Sequence, residues 1–267
     1  MRRHRLACSA LILAGLVHPG RAHAQVLSPS GDPSPKAVFL DILKPMFEGG
    51  GLTFLTTIDE LGVRWQLGEL VLVGEFPLVH AKQKGATQGS TVIGNPYFGM
   101  ATNPRGSFIG ELGVRLPIAS VSGDAFLAPS VGLIGDYTEF EAYFSDLLTI
   151  RGIAGYRFRK AGGLAVRTAL RPTFVIPTSG GEPELFLDYA FQVGYEKDRA
   201  GLGAAINGRA IVTQNLSLGE RTVHDLSLGA AVAFGRLRPG VLVRLPLEND
   251  LSQVLNASVG VKLEVAF

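Results

Sequence analysis

Cysteine is all but missing from this 267-residue chain: Cys8 is the only one, and Arg5 stands three residues before it. That placement, at the start of an apolar stretch rather than after it, does not suit a lipoprotein processing site. Beyond Cys8 no disulfide framework and no thiolate metal site can be built. Histidine is also scarce, and past residue 24 only His80 and His224 remain. Two histidines on separate segments give no ligand spacing, so neither a metal nor a cofactor is expected. No apolar run after Val17 approaches the about 20 residues that a membrane helix needs. Strong charge of one sign is missing as well. Of the 25 basic residues, Arg2, Arg3, Arg5 and Arg21 belong to the opening segment, which leaves 21 against 23 acidic. A net basic domain of the kind that binds nucleic acid is thereby excluded.

What is present begins with that opening segment. Met1–Arg5 is basic, Leu6–Val17 is apolar, and Ala22-His23-Ala24 forms a small-x-small cleavage site, so residues 1–24 read as a cleaved signal peptide. The chain is expected to be exported. Residues 25–49 read as a periplasmic linker. Within it, Val26–Lys36 is rich in Pro and Ser, and Ala37–Phe47 is open between a short plug, an extra strand and a loop. Glycine is abundant at 34 residues, which suits a series of short strands and turns.

The far end is more specific. Leu255, Ala257, Val259, Val261, Leu263, Val265 and Phe267 alternate with Asn256, Ser258, Gly260, Lys262, Glu264 and Ala266. Side chains on a strand alternate faces, so this segment has one apolar side and one polar side. Its length exceeds the five or six residues of an average strand and matches the ~9–11 of a tilted membrane strand. A last amphipathic strand ending in Phe resembles the closing strand of bacterial outer-membrane barrels, which makes Phe267 the expected assembly signal, read by the barrel assembly machinery.

Read backwards from Phe267, the pattern predicts strands at 252–267, 241–247, 225–234, 202–213, 184–195, 164–176, 147–158, 107–118, 91–100, 69–78, 61–67 and 51–58. The fold class is all-β: a transmembrane antiparallel up-and-down barrel of about twelve strands over residues 50–267, in the bacterial outer membrane. Connectors alternate between short and long, as such a barrel demands. The longest, Ala119–Asp146, is too long to be structureless, so strand extensions above the membrane or a segment folding inward are expected; a plain surface loop is preferred over one that constricts the lumen.

Three strands share a motif near their outer ends: Glu75-Phe76-Pro77-Leu78, Arg115-Leu116-Pro117-Ile118 and Arg244-Leu245-Pro246-Leu247. Proline removes a ladder donor and so belongs where pairing ends. Together with Ile93-Gly94-Asn95-Pro96-Tyr97-Phe98-Gly99 and the Phe267 terminus, these segments resemble a family of bacterial outer-membrane transporters grouped with phenol meta-pathway genes. The resemblance is spread over 60–267, and it implies a barrel, transport, and small aromatic solutes.

Alternation sorts each strand into a lipid and a lumen face. Facing lipid are Trp65, Phe76, Phe108, Phe158, Tyr189, Phe191, Tyr195, Phe234 and Phe267. Facing inward are Arg64, Glu75, Glu111, Arg115, Arg151, Arg157, Arg167, Arg171, Asp188, Arg209, Arg244, Lys262 and Glu264, with Asn95, Tyr97, Gln192 and Asn207 among them. A charge at membrane depth on the lipid face costs ~2–4 kcal/mol, so this sorting is physically required. Nine basic against four acidic side chains leave an arginine-rich interior. One reading is a passive pore favouring anionic solutes; the other is a set of Arg–carboxylate braces in a filled lumen with a structural or surface role. A hydrolase acting on lipids or peptides at the outer surface is the remaining alternative. His80 and His224 both fall at outer strand ends, but Asp225 points to the opposite face from His224 and no hydrolase serine motif lies near, so no catalysis is expected. The expected partners are outer-membrane lipid and a small-molecule solute.

Overall fold

The computed structural model describes residues 34–102, 107–197, 199–214 and 221–267. The expected leader, residues 1–24, lies outside them. Alternating burial runs along almost every strand, and antiparallel pairing carries it from one strand to the next around a closed ring. In chain order the strands are β1 (Ala37–Phe47), β2 (Thr57–Leu67), β3 (Leu70–Ala81), β4 (Ser90–Ile93), β5 (Tyr97–Thr102), β6 (Phe108–Arg115), β7 (Ser120–Ser122), β8 (Leu147–Arg159), β9 (Leu164–Pro177), β10 (Glu184–Lys197), β11 (Ala200–Ile211), β12 (Thr222–Val232), β13 (Leu237–Pro246) and β14 (Leu255–Ala266). β1 pairs with both β2 and β14, closing the sheet.

These fourteen segments make twelve staves. β4 and β5 both pair with β3, with Leu78 opposite Ile93 and Glu75 opposite Tyr97, so they are one stave broken at residues 94–96. β7 continues β6 beyond a second break at residues 116–119, pairing with β4 as β6 pairs with β5. The fold is therefore the expected all-β, up-and-down antiparallel barrel of twelve strands. At one end the turns are tight, as between β2 and β3, where Gly68 takes a φ of 60° that other residues resist. Longer connections gather at the other end.

The barrel starts earlier than its alternation suggests. Residues 51–58 and 61–67 are not two strands: Thr57–Leu67 is one, and the remaining stave is Ala37–Phe47, so the barrel begins at Ala37 and not at residue 50. β1 is hard to read because both its faces are apolar. Ala37, Phe39 and Leu43 point inward while Val38, Leu40 and Ile42 point outward, and Pro45, opposite Ser258, brings no ladder donor.

The outward face is a band of exposed apolar side chains. Trp65, Phe76, Phe108, Phe158, Phe191, Tyr195, Phe234 and Phe267 all lie on it. At the seam Phe267 packs on Trp65 with ring centroids 5.8 Å apart, and its N–H donates to the Lys36 carbonyl at 3.1 Å.

Candidate functional site

Twelve strands, each turning its polar side inward, bring a dense set of charges together inside the barrel. Arg64, Glu75, Glu111, Arg115, Arg151, Arg157, Arg167, Arg171, Asp188, Arg209, Arg244 and Glu264 are all buried there. Lys262 is partly exposed and pairs with Asp41 of β1 at 3.2 Å. Asn95, Tyr97, Gln192 and Asn207 are buried as well.

Near the tight-turn end the charges pair along the wall. Arg64 meets Glu264 at 2.8 Å, with Arg238 3.5 Å from the same carboxylate. Arg159 and Arg167 both bind Glu196, the former at 2.6 Å.

The other half of the lumen is occupied. The connector 119–146 is not a plain surface loop: after β7 and an exposed turn, residues 127–144 fold into the barrel. Helix α1 (Leu127–Gly135) and a 3-10 turn (Phe140–Tyr143) carry the segment inward. Its centre is Glu139, which binds Arg115 at 2.6 Å, Arg151 at 3.1 Å, and Arg171. Two plug carbonyls take further arginine hydrogens: Arg209 donates to Tyr137 O at 3.0 Å and Arg171 to Thr138 O at 3.2 Å. Tyr137 donates to Asp225 at 3.2 Å, and Tyr143 donates to Asp136 at 3.0 Å. Apolar contacts complete the docking. Tyr143 packs among Leu43, Ile58, Val79 and Val92, and Phe140 meets Phe186 edge-on at 5.4 Å.

Asn95 anchors this segment. Its backbone N–H donates to Ala142 O at 2.6 Å, and its side-chain amide donates to Glu141 O at 2.9 Å and Phe144 O at 2.6 Å. Its side-chain oxygen accepts from Ala119 N–H at 2.6 Å, so one residue holds both ends of the insertion. The break between β4 and β5 frees the backbone groups of Asn95 for this task. Gly94 permits the approach, since a Cβ there would fall 2.5 Å from Ala142 O.

The plug changes the charge balance. Among the described residues, eight arginines are buried against nine carboxylates: Glu60, Glu75, Glu111, Asp136, Glu139, Glu141, Asp188, Asp225 and Glu264. The expected excess of base is thus absent in the docked state. Three of the nine acids, Asp136, Glu139 and Glu141, come from the plug, and without them eight arginines face six carboxylates. Glu141 is the least well served of the three, with Arg209 at 3.6 Å and no hydrogen bond to either carboxylate oxygen. Burial pushes its carboxyl above the usual range, and Arg209 only partly offsets this. Cations also stack on rings: Arg151 lies 3.6 Å from the Tyr97 ring centre, and Arg209 lies 4.4 Å from Phe186 and 5.0 Å from Phe140.

Neither histidine is a bare rim residue. His80 hydrogen-bonds the Thr91 hydroxyl at 2.9 Å. His224, on the outward face, is held between Tyr189 and Glu248. Asp225 turns into the lumen, as expected, and accepts from Asn207 at 2.6 Å.

No protein-family model and no curated protein matches the chain. Solved structures with the same fold are outer-membrane barrels. The COG4313 outer membrane channel from Pseudomonas putida F1 superposes with a TM-score of 0.58 at 11% identity, over 88% of this chain and 97% of that one. The β domain of the Bordetella autotransporter BrkA gives 0.54 at 10% identity, over 87% and 100%. LpxR from Salmonella typhimurium gives 0.53 at 12%, over 86% and 100%. The chain has the fold of bacterial outer-membrane β-barrels, an architecture that outer-membrane channels use.

Proposed function

We propose that this protein is a plugged passive conduit for small anionic solutes, opened when a solute carboxylate takes the place of the plug's own. The observation that carries this reading is Glu139: one carboxylate of an inserted loop neutralises Arg115, Arg151 and Arg171. A carboxylate-bearing solute offers those arginines the same bidentate partner. The segment Glu139-Phe140-Glu141 also sets a phenyl ring beside its acids, against Phe186 and Arg209. Solutes joining a carboxylate to an aromatic ring are therefore the favoured class. With the plug withdrawn, the excess of arginine over carboxylate makes the lumen anion-selective.

The test is single-channel recording in planar bilayers under a salt gradient, comparing the wild type with a variant in which residues 124–144 are replaced by a short Gly/Ser turn. The variant is expected to conduct continuously with anion preference. The wild type is expected to open more often in benzoate than in acetate at equal ionic strength. A folded deletion variant that passes no current would mean that wall side chains alone fill the barrel, leaving a structural role.

A further inference from the structure

Outside the lumen, three polar side chains meet on the face that the barrel turns to lipid. Tyr189 stands on β10 and His224 on β12, and both pair with Gly208 of the intervening β11. All three residues thus share the outward face. Glu248 follows β13, whose end lies beside His224 through the Leu247 N–H to His224 O bond of 3.0 Å. The imidazole joins the other two: Glu248 Oε1 lies 2.7 Å from His224 Nδ1, and Tyr189 Oη lies 2.6 Å from His224 Nε2.

The partners fix the proton positions. A carboxylate accepts, so Nδ1 carries hydrogen toward Glu248 and Nε2 is left as the acceptor of the Tyr189 O–H. The phenol oxygen keeps its lone pairs free, and the ring has a base in contact and a carboxylate behind that base. This order of carboxylate, imidazole and hydroxyl is the arrangement that activates an oxygen nucleophile. It is built across a strand, and Gly208 makes it possible. A Cβ on Gly208 would fall 2.3 Å from the Tyr189 ring, so only glycine lets that ring lie over β11 and reach His224. His224 and Glu248 are about a third and a quarter exposed, so the relay is open to the surroundings.

Its place selects the substrate. A carboxylate and an imidazole on the lipid face are tolerated near the membrane interface and costly at the midplane. Both groups stand at the long-connection ends of their strands, opposite the end where the chain closes on Phe267. Ester linkages of outer-leaflet lipids lie at that interface, with acyl chains along the barrel wall.

We propose that Tyr189, His224 and Glu248 form a lipid-facing esterase site. Tyr189 Oη attacks the ester carbonyl carbon while its proton passes to His224 Nε2. The carbon–oxygen bond to the alcohol then breaks, and the imidazolium returns the proton to the departing alcohol oxygen. The acyl group remains on the phenol as an aryl ester, from which the tyrosine oxygen departs more readily than an alkoxide would. Water deprotonated by His224 attacks this ester, releasing the fatty acid and restoring the tyrosine. Ester and water give acid and alcohol, with no further reagent. The site is independent of conduction through the lumen.

The test uses the folded barrel in detergent micelles with p-nitrophenyl decanoate, following p-nitrophenolate release. Folding is checked by the heat-dependent shift in gel mobility. Tyr189→Phe and His224→Ala are expected to lower the rate by about 100-fold or more, the scale of a lost nucleophile or base. Glu248→Gln is expected to lower it less. Gly208→Ala, which leaves the three polar side chains themselves unchanged but sets a Cβ against the Tyr189 ring and hydroxyl, is expected to lower it by displacing Tyr189 from His224. Mass spectrometry after rapid acid quenching should find the decanoyl group on Tyr189 in the wild type. A folded wild type no faster than Tyr189→Phe, or acylation at another residue only, overturns the proposal.

Discussion

Glu139 concentrates the docking of the plug in one side chain, because three buried arginines share it. Removing one partner of a buried ion pair costs about 3–5 kcal/mol, since the opposite charge stays behind in a poor solvent. Glu139→Gln should therefore raise the open probability in bilayer recordings by well over tenfold while leaving the barrel folded. An unchanged open probability would move the docking energy to the apolar contacts of Tyr143 and Phe140. Glu141 gives the plug a pH response of definite sign. Its carboxyl sits above the usual range when docked, because burial outweighs Arg209. A carboxyl raised by docking takes up a proton as the plug docks. Docking is thus fully favoured below the free carboxyl's pKa and loses ground as pH rises through the docked one. Open probability should climb with pH over that window, and Glu141→Gln should flatten the climb. Identical pH curves for the two proteins would remove Glu141 from the gate.

At the scale of elements, strands were legible, and the plug only as the second reading of its loop. From β3 to β14 the period-two alternation places each stave within a few residues, and the inward and outward sets follow from it directly. β1 was hidden because Phe39 and Leu43 on one face are as apolar as Leu40 and Ile42 on the other. Loop 119–146 carries no strand period, and its three buried acids bind arginines 12 to more than 100 residues away, pairings that no local pattern encodes. One signal did exist: Leu127–Gly135 is too apolar for a water-exposed loop, and the acids that follow it alternate with aromatics. The relay on the outer face was invisible for a similar reason, since Tyr189, His224 and Glu248 are brought together by strand register and by the absence of a side chain at Gly208. The plug as an element can be tested through the lumen it covers. In the background lacking residues 124–144, Arg167→Gln with Arg171→Gln should reduce anion preference, read as a shift in reversal potential under a salt gradient. An unshifted potential would make those two arginines braces only.

For the whole molecule, closure depends on the pairing of first and last strands, Ala37 opposite Ala266 through Met46 opposite Ala257. Phe267 caps that seam against Trp65 and the Lys36 carbonyl. Deleting Phe267 should lower the fraction of chain that reaches the heat-modifiable, membrane-inserted form in cells, and full assembly of the truncated chain would show that the signal lies in the strand alone. The topology also carries a consequence for observing the plug. The inserted segment leaves β7 and returns to β8 at the same end of the barrel, and Asn95 fastens it at both ends there. A plug that withdraws must come back through the mouth by which it entered, toward the cell exterior. Residues around Glu139 would then be shielded in resting cells and displayed to proteases or antibodies outside them during transport, so the state of the gate becomes readable on living bacteria without opening the envelope.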